Sequence, residues 1–192
     1  MKKILSLAAI ILVCNEVSAN DLGNSYLKIQ AAGNIPHETK NKNIEYKGNM
    51  SFGGSIGFGY NAMENINVEL GLDYVHNNKY EYKIISAPVE SNLNIISPKL
   101  MVYYDYKASD NMGAYLGFGG GASLISGKYT SVATKTKDLE NKSTIFLTGE
   151  AGISFSMNKT IFDLGYSVGY HGKPYNFDII IHSAKIGVRY CF

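Results

Sequence analysis

Apolar residues recur at every second position along most of this chain, and that period limits the possible folds more than any other feature. The last fifteen residues, from Asp178, show it plainly. Phe192, Tyr190, Val188, Ile186 and Ala184 share one register, with His182 and Ile180 beyond them. Cys191, Arg189, Gly187, Lys185 and Ser183 share the other. A period of two is that of a β-strand, and two unlike registers mean two unlike surroundings.

Seven further stretches repeat the pattern, at about 25–33, 51–60, 66–75, 94–106, 112–126, 143–157 and 160–171. In the second of them, Phe52, Ile56, Phe58 and Tyr60 alternate with Ser51, Gly53, Ser55, Gly57 and Gly59. Pro98 lacks a ladder donor, which predicts a bulge or a strand start there. The segments between the stretches alternate in length. Segments 34–50, 76–92 and 127–142 are long and polar, 61–65, 107–111 and 158–159 are short, and 172–177 is intermediate.

A soluble eight-stranded barrel fills its interior with its apolar register. Here the register rich in Phe, Leu, Ile, Val and Tyr is the bulkier one, and its counterpart is mostly Gly, Ser and charge. A narrow lumen suits the second set and lipid suits the first. No stretch beyond the leader has 18 consecutive apolar residues, so helical spans are excluded. Only helices and closed barrels satisfy their backbone polar groups within a bilayer. The expected fold is therefore all-β: an eight-stranded antiparallel up-and-down transmembrane β-barrel. Short turns on one side and long loops on the other fit such a barrel. At about 2.6 Å per residue along the membrane normal, the ten steps from Phe192 to His182 span about 26 Å, the height of the apolar band. Phe192 and Tyr190 then lie at one rim and His182 at the other.

Residues 1–19 read as a signal peptide: Lys2 and Lys3, an apolar run from Ile4 to Val13, then Val17-Ser18-Ala19. Residues 20–192 form one domain. Bulky Val13 before Cys14 argues against a lipoprotein leader. Past the leader only Cys191 remains, so no internal disulfide forms. The formal charge of +2 becomes +1 once Lys2, Lys3 and Glu16 are removed, too weak a field to suggest nucleic acid.

The candidate site residues are the charges of the inward register. Glu69, Lys99, Glu150, Arg189, Lys185 and Asp163 are expected to pair within the lumen, because a lone charge there is costly. Lys28, Asp73 and Asp105 belong to the same register. A nucleophile needs a base within reach. His182 and Ser183 are adjacent and so face opposite sides, His171 has no Ser two residues away, and His37 and His76 have no evident partner. Four scattered His and a single Cys past the leader give no metal-ligand spacing. The run from Gly117 to Gly121 is not a phosphate loop, and close packing of strands over Tyr115 explains it. The chain is read as a non-enzyme without cofactor or metal.

Several segments together resemble a known family. They are the leader end Val17-Ser18-Ala19, the Tyr-Tyr-Asp-Tyr run at 103–106, the segment Gly149-Glu150-Ala151-Gly152-Ile153-Ser154-Phe155, and the tail. They are similar to small eight-stranded outer-membrane barrels of the opacity-protein, surface-antigen and OmpA-like type. An abundance of Asn, Lys, Ile and Tyr makes the layout similar to rickettsial surface antigens. The resemblance implies an outer-membrane location among lipid and lipopolysaccharide. It also implies that Lys185, Gly187, Tyr190 and Phe192 form the C-terminal signal read by the barrel-assembly machinery. Function is then expected in the long loops, which carry net charges of +1, zero and +2 in order. Tyr46, Tyr80, Tyr82, Lys128 and Tyr129 are the contact candidates. The expected role is that of a structural surface protein or an adhesin meeting host-surface or matrix protein. The alternative is a small pore or transporter.

Overall fold

Every stretch of alternating residues is a strand in the computed structural model, which describes residues 25–37, 39–41, 44–84, 87–131, 134–174 and 178–192. The proposed leader lies outside these residues. The strands are β1 (Ser25–Pro36), β2 (Thr39–Asn41), β3 (Ile44–Gly48), β4 (Ser51–Met63), β5 (Ile66–Ile84), β6 (Ala87–Lys107), β7 (Met112–Ser131), β8 (Thr134–Met157), β9 (Thr160–Tyr170) and β10 (Ile180–Cys191). All pairings are antiparallel, and they run in a ring through β1, β4, β5, β6, β7, β8, β9, β10 and back to β1. The barrel thus closes on eight strands.

The two extra strands are a continuation of the same sheet. Gly48 faces Tyr80 and Phe52 faces His76, so β3 and β4 follow one register along β5, with a break between them. β2 folds back on β3. The polar segments 34–50, 76–92 and 127–142 are therefore not open loops. Strands β5 to β8 run for 19, 21, 20 and 24 residues, about twice the 9–11 that a span requires. They rise above the barrel as hairpin arms. Val, Tyr, Ile and Thr in these segments favour extended backbone despite the charges between them. Register shifts at Val75/Asn78 and at Ile125/Gly127 mark where the arms leave the wall, the kind of bend a bulge supplies.

Pro98 starts no strand and makes no register shift. The β6–β7 ladder lapses at Ser97 and Pro98 and resumes in the same register at Lys99. A missing donor is tolerated as a gap. The short turns at 64–65, 108–111 and 158–159 share the end at which Phe192 stops. Asn158 takes a left-handed conformation (φ 55°), which Asn tolerates better than most residues.

The outward register is exposed. Phe52, Leu100, Leu116, Phe118, Leu164, Ile186 and many similar side chains stand on the outer wall. A soluble protein rarely exposes so large an apolar surface. An outer-membrane barrel presents it to lipid.

Candidate functional site: the filled lumen and the outer arms

The inward register of β6 gives the order of the lumen. From the arm end it reads Leu93, Ile95, Ser97, Lys99, Met101, Tyr103 and Asp105. The lumen is layered in the same sequence: apolar, hydroxyl, ionic, aromatic, ionic.

The first layer is a stopper. Val75, Leu93, Ile95, Ile125, Ile179 and Ile181 form one buried cluster, with Leu139 packed against it. Ile179 reaches it from the segment before β10, held by hydrogen bonds from the His171 amide to the Ile179 carbonyl (2.8 Å) and from the Ile179 amide to the Gly172 carbonyl (3.1 Å).

Beneath the stopper lies a chain of hydroxyls. Ser97 Oγ is 2.7 Å from Ser123 Oγ, which is 2.7 Å from His171 Nδ1. The His171 ring stacks on Phe146 at 4.6 Å. Spacing along the chain could not reveal this Ser–His pair, because Ser123 lies on β7 and His171 just after β9. Both residues are buried, and the stopper roofs them. The pair ties β7 to the segment after β9 within the lumen. His171 follows the end of β9, three residues past Val168, which faces rim residue His182. That places it about 8 Å beyond the apolar band. Burial lowers its pKa from 6.5 to about 4. A small cavity of about 30 Å³ adjoins it, lined in part by Asn34, Asp73, Thr148 and Lys185.

The ionic layer centres on Glu150. Its carboxylate accepts from Lys185 Nζ at 2.8 Å and from Lys28 Nζ, Gln30 Nε2 and Tyr115 Oη at 3.2 Å each. Lys28 also donates to Tyr103 Oη at 3.2 Å and lies 4.0 Å from Glu69, which accepts from Tyr26 Oη at 3.1 Å. Lys99 pairs with Asp73 at 2.8 Å. Nearer the short turns, Arg189 grips Asp163 with two bonds of 2.8 Å and reaches Asp105 at 2.9 Å. Asn67 donates to the same Asp105 at 2.7 Å.

Of the six charges singled out in the sequence, the structure joins Glu150 to Lys185 and Arg189 to Asp163. Glu69 and Lys99 instead meet Lys28, Tyr26 and Asp73. Sequence reasoning singled out Tyr115 alone among the inward aromatics. Tyr26, Tyr103, Tyr115 and Phe146 all point inward and are buried. The signal was the glycines, which face them across the strands. A Cβ on Gly59 would enter the Tyr26 ring, one on Gly117 would enter Tyr103, and one on Gly165 would enter Tyr115. The glycine run at 117–121 thus makes room for Tyr103 and Met101 rather than for Tyr115.

Of the tail, Lys185 and Gly187 face the lumen, while Tyr190 and Phe192 face outward and meet edge-on at 5.6 Å. His76 and His37 do have partners: Tyr74 Oη is 3.0 Å from His76 Nδ1, and the His37 ring is 5.5 Å from that of His182. In the arms, Lys128 is exposed and 3.5 Å from Asp138, and Lys142 meets Glu140 at 2.6 Å. That bond holds the Glu140 carboxyl below its usual range. Tyr46 and Tyr82 are paired in backbone register, and Tyr80 on β5 and Tyr129 on β7 both lie opposite Ser91 of the intervening β6. The side chains of all four lie outside the described residues. Among the described residues no group of His, Cys, Asp and Glu has the geometry of a metal site.

A closed eight-stranded wall, apolar outside and filled inside, matches the family described as outer membrane protein beta-barrel domain, over residues 5–192. The chain belongs to this family. It is an outer-membrane β-barrel protein. Solved structures with the same fold include Neisserial surface protein A, at 20% identity and a TM-score of 0.64 over 88% of this chain and 97% of that one. They also include Ail, the attachment invasion locus protein of Yersinia pestis, at 17% identity and a TM-score of 0.54 over 88% and 99%. OprG from Pseudomonas aeruginosa gives 12% identity and a TM-score of 0.54 over 88% and 97%. At such identities the likeness is one of fold. Among curated proteins no relative matches the sequence.

Proposed function

We propose that this outer-membrane barrel is a surface protein of structural or adhesin-like kind, whose wall anchors the arms and whose arms make the contacts. The observation that carries this reading is the contrast between a lumen filled from stopper to Arg189 and strands that overrun the band by about their own spanning length. A pore would need an open path. Here layers of apolar, aromatic and paired side chains occupy it. Ail, which shares the fold, was also solved in complex with the heparin analogue sucrose octasulfate. Such a partner for this chain would meet Lys128 and the tyrosines 46, 80, 82 and 129 on the arms. The tail residues Lys185, Gly187, Tyr190 and Phe192 we assign to recognition by the assembly machinery. The paired charges we assign to stability, with no chemical step.

The test replaces residues 128–138 by a two-residue Asn-Gly turn between the paired Gly127 and Leu139. The barrel should keep its heat-modifiable gel mobility while binding of expressing cells to host cells or matrix falls. Unchanged binding removes this arm from the proposal. Steady single-channel currents from the reconstituted protein would establish the pore instead.

A further inference from the structure

One part of the lipid-facing wall is hollow. On β1 and β10 the outward register turns small at Ala31, Gly33 and Ala184, between taller Phe52, Leu164 and Ile186. The result is an open groove of about 480 Å³. Gly33 and Ala184 face each other in register, with Phe52 beside Gly33 and Tyr166 beside Ala184. A Cβ placed on Gly33 would meet nothing within 4 Å. The small residues here make room for no neighbour within the barrel, unlike the glycines of the lumen.

The groove does not run on into water. Two residue pairs above Gly33 and Ala184, next in the outward register, come Ile35 and His182, at the outer rim. There the Tyr166 hydroxyl bonds His182 Nδ1, and the His37 ring lies 5.5 Å away. With Tyr166 donating, the remaining His182 proton sits on Nε2, a donor left over at the interface. The slot is thus apolar within the hydrocarbon band, and next along its outward register, at headgroup height, stand imidazole groups whose N–H complements an anionic oxygen.

We propose that this slot is a lipid site: one acyl chain of a phosphorylated outer-leaflet lipid lies along Gly33 and Ala184, with its phosphate at His182 and His37. An acyl chain fits because the slot lies where hydrocarbon is the solvent, with a floor of Ala31, Gly33 and Ala184 between taller apolar side chains. A phosphate fits because the rim offers ring N–H donors. The site is independent of whatever the arms contact.

The test is native mass spectrometry of the full refolded chain released from detergent after incubation with bisphosphorylated lipid A. One lipid should remain bound per barrel. Gly33→Phe fills the slot from its open side and should abolish retention; Ala184→Phe repeats the block from the neighbouring strand. His37→Ala with His182→Ala should weaken retention about tenfold, the effect of losing one or two hydrogen bonds to phosphate, and fully dephosphorylated lipid A should bind the native barrel equally weakly. Heat-modifiable mobility confirms that each variant is folded. Lipid retained by both slot-filling variants would overturn the proposal. So would equal retention with and without phosphate, or a dimer that Gly33→Phe disperses, which would make a second copy the occupant.

Discussion

Removing the Glu150 carboxylate is the most severe single change the lumen offers. Among the described residues, Lys185 has no other carboxylate within 4 Å, whereas Lys28 keeps Glu69 at 4.0 Å. Glu150→Ala therefore strands one buried ammonium and weakens the hold on a second. Leaving a buried charge without its partner costs about 3–5 kcal/mol. Gln30 and Tyr115 each lose a hydrogen bond worth roughly 1 kcal/mol. Lys28 recovers part of its loss through Glu69, so a total of about 5 kcal/mol is reasonable. With a urea dependence of about 2 kcal/mol per molar, the unfolding midpoint should drop by roughly 2–3 M. The chain has no Trp, so the transition is followed in detergent micelles by far-UV circular dichroism and by heat-modifiable mobility. The decisive control is Glu150→Met with Lys185→Met. Replacing both partners of a buried pair by apolar groups is often close to neutral. Much of the lost stability should then return. A single variant within error of the native midpoint, or a double variant as weak as the single, would refute the account of Glu150 as the acceptor that the lumen cations require.

Arg189→Lys keeps the charge but loses the planar fork onto Asp163, and should lower stability by about 2 kcal/mol. An unchanged temperature for the mobility shift would contradict this. Gly117→Ala drives a methyl into the Tyr103 ring and should cost about 1–3 kcal/mol through overpacking, as read by urea titration. Gly149→Ala serves as its control, since that Cβ comes no closer than 4.0 Å to the Gly117 carbonyl and should be silent. Burial lowers His171 to about 4, so between pH 6.5 and 4 the folded barrel binds fewer protons than the unfolded chain. Its contribution is intact above pH 6.5, and on the order of 3 kcal/mol is lost as the pH falls through that window. His171→Phe should flatten that part of the stability–pH curve, and an equally steep variant curve would assign the slope to other groups.

The wall was legible because its cause is local. Lipid outside and a narrow lumen inside impose opposite demands on successive residues, and a period of two reports them directly, as along Ser51 to Tyr60. The sequence of β10 likewise shows which of its charges face in. It does not show which charge meets which, because Glu150 gathers Lys28 from a strand 122 residues away and Lys185 from one 35 residues away. The Ser123–His171 contact was hidden for the same reason. The arms were misread as loops because their charge, Asn and Pro were weighed above their period; along the β5 arm Tyr80, Tyr82 and Ile84 do alternate with Lys79, Glu81 and Lys83.

The seam between β1 and β10 has a consequence for how such a wall can be made. Their register runs from Tyr26↔Cys191 to Pro36↔Ile181, and the Phe192 amide reaches the Ser25 carbonyl at 3.0 Å. These contacts join residues near opposite ends of the chain, the widest sequence separation that any pair of barrel strands spans. Until the final strand arrives, the first has a full edge of unpaired donors and acceptors, and hydrocarbon offers them nothing. Strand-by-strand insertion would leave that edge exposed at every intermediate stage. The barrel must therefore gain its stability late and nearly all at once, with the edge of β1 shielded until residues 180–192 complete the circle.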